Sequence, residues 1–109
     1  MMKFYLDTEY TNGNYYRGDI FEIVLVSEQT YRVFHQYVKL PYSIPENVKR
    51  LCNIKDEVVK RKGVPFKFML QRLLQFVNSE TNTPTVIAHA GYLNDIPLLF
   101  VNCMTHSIN

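Results

Sequence analysis

Apolar and polar positions near the start of the chain alternate with a period of two. Phe4, Leu6 and Thr8 fall on one side and Tyr5, Asp7 and Glu9 on the other, which is the pattern of a β-strand. Aromatic, branched and Thr residues favour that state, and neither Gly nor Pro interrupts it. Asn12 and Gly13 then give a turn signal. Ile20 to Ser27 is almost unbroken apolar sequence, which predicts a central strand covered on both faces. Glu28, Gln29 and Thr30 make a short turn. Tyr31 to Leu40 alternates again as a third strand, with Tyr31, Val33, His35 and Tyr37 on one face and Arg32, Phe34, Gln36 and Val38 on the other.

The period changes after Pro41. Ser43 and Glu46 have the spacing of a capping box that opens a short helix through Val48 and Leu51. Asn53 to Val59 restarts a helical turn that ends near Gly63. Phe66, Met69, Leu70, Leu73, Leu74 and Val77 then recur at helical spacing behind Pro65, predicting an amphipathic helix laid on the sheet with Lys67, Gln71, Arg72 and Gln75 facing water. Thr83 to Ala88 reads as a fourth strand that can lie parallel to the first, because a helix separates them. Asn94, Asp95, Ile96 and Pro97 open a last helix carrying Leu98, Leu99, Val101 and Cys103.

Composition sets bounds on this outline. A chain of 109 residues suffices for one domain, residues 1–109, and is too short for two. With 47% hydrophobic and 20% charged residues it is globular in character, which argues against disorder. The net charge of +2 does not by itself indicate nucleic acid, so any basic patch must be local. Cys52 and Cys103 lack metal-like spacing and read as reduced thiols of an intracellular protein. Apolar runs fall short of the roughly 20 residues that cross a bilayer, so a soluble chain without membrane contact is expected.

Candidate chemistry concentrates at the first strand. Asp7 and Glu9 place two carboxylates side by side, either as solvated acids on an edge strand or as hard oxygen ligands for a divalent cation such as Mg²⁺. Glu22, the one charge in the second strand, is either beside that pair or a tolerated strand-end acid. Tyr15, Tyr16 and Arg17 lie in a loop flanked by Gly13 and Gly18, where they either stack on nucleobases or fold back over the sheet. A lone His35 on a strand is expected to be hydrogen-bonded or exposed rather than a ligand.

The strand order, the Asp-Thr-Glu of the first strand and the acid where the fourth strand enters a helix together resemble the DEDD-type 3′–5′ exonucleases of the ribonuclease H-like superfamily. Nearly the whole chain is covered. Phe4 to Gly13 resembles the family's first motif, and Ala88 to Leu99 resembles the second motif of the three-prime repair exonuclease and DnaQ-like branch. Phe34 to Val38, Ile44-Pro45 and Asn53 to Val59 match landmarks that carry fold more than chemistry. Ala90 and Asn94 depart from the second motif, where Asn and an aromatic residue are usual.

The resemblance implies an α/β fold, a mixed sheet in the order β-β-β-α-β-α with helices on its faces and the C-terminal part of the fold missing. It also implies hydrolysis of nucleic-acid 3′ ends with two ions of Mg²⁺ or Mn²⁺. Asp7, Glu9 and Asp95 would be the catalytic, metal-holding carboxylates, with Tyr10, Thr11, Asn12 and His89 near the terminal nucleotide of single-stranded DNA or RNA and Tyr15, Tyr16 and Arg17 on the strand beyond. The family's third motif, a general-base His with a fourth acid five residues on, has no counterpart here: His106 is the last histidine and no acid follows it. Impaired activity is therefore expected, with a homo-oligomer or a completing subunit as possible partners. Apolar surface around Leu98, Leu99 and the Ile20-to-Val26 strand is expected to lack cover.

Overall fold

In the computed structural model, which describes residues 2–12 and 18–88, the strand pattern gives one four-stranded sheet. Strands β1 (Met2–Tyr10), β2 (Ile20–Ser27) and β3 (Val33–Tyr37) precede helices α1 (Glu46–Cys52), α2 (Asp56–Lys62) and α3 (Phe66–Glu80), and β4 (Pro84–Ala88) follows. The spatial order is β3-β2-β1-β4. β1 therefore pairs on both sides, antiparallel to β2 and parallel to β4, as the helix before β4 allows. Among the described residues no helix is long and apolar enough to cross a membrane.

Cross-strand partners share a face, so the register builds the main core directly. Leu6 lies opposite Leu25 and Thr8 opposite Ile23, and with Phe4 these side chains are buried beneath Phe66, Met69 and Leu73 of α3. Each apolar side chain so withdrawn from water contributes about 1.5–3 kcal/mol. The helix is rolled relative to its apolar periodicity. At about 100° per residue, Leu74 and Phe76 lie roughly 80° to either side of Phe66. Phe76 takes the inner place, edge-on to Phe4 at 6.2 Å and tilted against Phe34 at 5.8 Å, while Leu74 is 53% exposed. Arg32 and Thr30 bind Glu80 at the end of α3, tying the β2–β3 turn to the helix.

Several expected details differ. β2 is interior, yet only one face is sealed: Val24 and Val26 on the other are half-buried. β3 is shorter than its alternation, because Tyr31 turns with φ 58° and Val38, whose N–H still donates to the Phe21 carbonyl at 2.8 Å, turns to bridge Val64 as the chain leaves β2. That bridge closes through Lys39 N–H to the Val64 carbonyl and Val64 N–H to the Tyr37 carbonyl. Gly63 ends α2 there because a Cβ would lie 2.3 Å from the Val59 carbonyl oxygen and 3.0 Å from Lys39 N.

The expected capping box does not form. Pro45 is the N-cap of α1 and makes no side-chain cap, since Ser43 lies two residues too early. What fixes the segment comes from α2: Asp56 accepts the Ile44 N–H at 2.9 Å and pairs with Lys49, which also reaches Glu46 at 3.3 Å. Asn53 ends α1 in the left-handed region, which Asn tolerates better than most residues. Phe21, Ile44, Val48 and Val59 make a second, smaller core with Cys52 at its margin, whereas Leu51 turns to solvent at 86% exposure.

Candidate active site

Strand alternation puts Tyr5, Asp7 and Glu9 on the face that α3 leaves uncovered. Asp7 is exposed and makes no hydrogen bond or ion pair with any described residue, so both of its oxygens are open to the described residues. Glu9 is half-buried at the strand's end, where the register shifts: Glu9 pairs with Glu22 but Tyr10 pairs with Ile20. Phe21 is the extra residue of this bulge and drops into the second core beside Tyr37, the cross-strand partner of Glu22. Glu22 thus stands directly opposite Glu9, and among the described residues Asp7, Glu9 and Glu22 give the face three carboxylates.

Like charges opposite one another repel, and each glutamate has its own relief. The Cys52 thiol at the end of α1 donates to Glu9 Oε2 at 2.9 Å. Glu22 Oε2 meets His35 Nε2 at 2.6 Å, an ion pair whenever the imidazole is protonated. His35 is hydrogen-bonded and exposed, as its place on a strand suggests. Burial, with the added pull of Glu9, Glu22 and Asp7, pushes the Cys52 thiol up to about 12, so it remains a protonated donor at neutral pH. Burial and then neighbouring Glu22 raise the Tyr37 phenol. Cys52 is free of disulfide.

The loop leaving β1 is clasped at its base. Thr11 N–H donates to the Asp19 carbonyl at 3.1 Å, and the Asp19 N–H donates back to Thr11 Oγ1 at 3.1 Å. Tyr42 spans both, donating to Asp19 Oδ2 with its hydroxyl 3.2 Å from Thr11 Oγ1. Thr11 is buried and Tyr10 packs against the main core, while Asn12 is exposed.

Tyr15, Tyr16, Arg17, His89, Asp95, Leu98 and Leu99 lie outside the described residues. What the structure does fix is the exit from β4. Ala88 pairs with Leu6, so β4 ends one residue short of Asp7's register, at the end of the sheet where the carboxylates stand. Among the described residues no group of three His, Cys, Asp or Glu side chains is arranged to hold a metal ion. The oxygen donors of this face, Asp7 and Glu9 with Glu22 behind them, nonetheless suit a hard divalent cation. Residue order put Asp7 and Glu9 on one strand face and left Glu22 either beside them or at a strand end. It missed Cys52, which carries no signal, since a helix-end cysteine 43 positions from Glu9 is brought to it only by packing.

No protein-family model and no curated protein sequence matches this chain. Solved structures do. The chain is similar to the nuclease domain of 3′hExo, a DEDDh family member solved bound to rAMP, with a TM-score of 0.79 and 18% identity over 99% of this chain and 60% of that one. It is similar to exonuclease I in its apo form, with a TM-score of 0.84 and 9% identity over 99% of this chain and 25% of that one. It is also similar to Escherichia coli exonuclease I in complex with a dT13 oligonucleotide, with a TM-score of 0.80 and 10% identity over 99% of this chain and 24% of that one. The chain thus spans three fifths of the first and about a quarter of the others. At these identities the likeness is one of fold, and the chain has the ribonuclease H-like α/β fold of the DEDD-type exonucleases.

Proposed function

We propose that residues 1–109 form one exonuclease-type domain that binds single-stranded DNA or RNA 3′ ends, with Asp7, Glu9 and Asp95 as ligands of Mg²⁺ or Mn²⁺. The observation that carries this reading is the pair Asp7 and Glu9, side by side on the uncovered face of a doubly paired strand, in a fold shared with exonucleases. Isolated acids on an edge strand would not need such a setting. The end of β4 beside the same face supports bringing His89 and Asp95 toward it. Exonuclease I binds dT13, which supports a single-stranded ligand here. The free Cys52 thiol fits a reducing, intracellular setting.

A bound pair of such ions supplies an acidified water and charge stabilisation for the leaving 3′ oxygen. This chain's own residues hold the ions and position the substrate. Asp7 and Glu9 anchor the ions from a strand held on both sides. The backbone at Tyr10 and Thr11, clasped by Asp19 and Tyr42, abuts the terminal nucleotide, with Asn12 and His89 beside it. Tyr15, Tyr16 and Arg17 stack along the strand.

A second reading, a nucleic-acid-binding or protein-interaction module without cutting, is favoured by one observation: Ala90 stands where a polar residue near the substrate is usual. Groups that act as a unit lose most of their rate when one is changed, so with Ala90 in that place cutting by these residues is expected to be weak. A 3′-labelled oligonucleotide with Mn²⁺, offered to wild type and Asp7→Ala, separates the readings. Weak, salt-sensitive binding with little cleavage is expected. Stepwise 3′ removal lost in Asp7→Ala would show a site completed by His106 or by a second subunit, and no binding in any salt would overturn the nucleic-acid reading.

A further inference from the structure

We infer that Cys52 is a positioning residue for Glu9: it commits one carboxylate oxygen, so that Glu9 ligates a cation through the other alone and the site favours Mg²⁺ or Mn²⁺ over Ca²⁺. The inference rests on the reading of Asp7 and Glu9 as cation ligands. The two acids differ in a way alternation cannot produce. Asp7 is open at both oxygens to the described residues, whereas Glu9 Oε2 is taken by the Cys52 thiol at 2.9 Å.

The donor is held from a separate, anchored element. Cys52 closes α1, whose preceding segment is fixed to α2 through Asp56, by the Ile44 N–H and by Lys49. The second core, with Phe21, Ile44, Val48 and Val59, holds α1 and α2 against the sheet's end. A carboxylate pinned in this way cannot readily swing to present both oxygens. Mg²⁺ takes single carboxylate oxygens in near-octahedral geometry, while Ca²⁺ accepts more oxygens and often a bidentate carboxylate. Hydrogen bonds behind a ligand shift metal affinity through its orientation.

Calorimetric titration of Mg²⁺, Mn²⁺ and Ca²⁺ into wild type, Cys52→Ala, Cys52→Val and Cys52→Ser tests this, with each variant's fold compared by circular dichroism in EDTA. Loss of the donor in Cys52→Ala and Cys52→Val is expected to weaken Mg²⁺ binding about tenfold and leave Ca²⁺ binding equal or tighter. Cys52→Ser, whose hydroxyl can donate to Oε2, is expected to restore the wild-type preference. Should Cys52→Val not fold, the Ala and Ser pair decides. Unchanged Mg²⁺-over-Ca²⁺ preference in Cys52→Ala, or a Ser variant that behaves as the Ala variant, overturns the role of Cys52 while leaving the ligand reading intact. Wild type that takes up no cation, or takes it up equally in Asp7→Ala, removes the ligand reading and this inference with it.

Discussion

On one face of the sheet Phe4, Leu6, Ile23 and Leu25 are sealed under α3, whereas on the other Asp7, Glu9 and Glu22 stand around the edge of a small core built by α1 and α2. The same strands supply both faces. The sealed face gains free energy from burial and tolerates no charge. The open face keeps two glutamates in direct opposition, which costs stability and is offset locally by Cys52 and His35. A strand that alternates between core and carboxylate thus fixes the acids through packing on its reverse side. The difference makes the two faces separable by mutation.

Met69→Ala should show the largest effect on folding. Met69 is fully buried against β1 and β2, so the loss is expected at about 2–5 kcal/mol by denaturant unfolding. Asp7→Ala, one layer away on the exposed side, should change unfolding by no more than about 0.5 kcal/mol. Equal losses in the two variants would mean that the faces are not independent.

Gly63→Ala probes how α2 is joined to β3. The added Cβ meets the Val59 carbonyl, so a cost of about 1–3 kcal/mol is expected in the same unfolding measurement. A neutral result would show that the Val38–Val64 bridge moves freely.

Metal sharpens the comparison from the open side. At ten times its dissociation constant, Mg²⁺ or Mn²⁺ should stabilise wild type by about 1.4 kcal/mol. Thermal melting should register the shift in Met69→Ala and lose it in Asp7→Ala. A wild-type melting temperature indifferent to millimolar metal would count against convergence of the carboxylates.

The smallest effect concerns pH. The Lys49 ammonium, and after it the Ile44 N–H, hold the Asp56 carboxyl below its ordinary 3.8. Its proton therefore binds more readily in the unfolded chain, and the stability it contributes is complete above that ordinary value and is lost as pH falls through the lower folded one. Asp56→Asn should flatten this acid limb slightly in melts recorded between about pH 2 and 6. An unchanged limb would mean that the pair is silent.

Much of this was legible in residue order. Alternation assigned Asp7 and Glu9 to one side of β1, the apolar run gave β2 its bounds, and helical spacing behind Pro65 gave α3. These are local properties, set by backbone geometry over a few residues. The choice of Phe76 over Leu74, the exposure of Leu51 and the absence of a Ser43 cap depended on how elements meet, because each turns on a helix's roll or on a partner from another element. The site shows the same division. Sequence alone determined which acids share a strand face, since a period of two leaves no choice. Only the tertiary structure decided that Glu22 stands opposite Glu9 and that Cys52 holds Glu9, because a one-residue bulge set the register and the packing of α1 closed a separation of 43 residues.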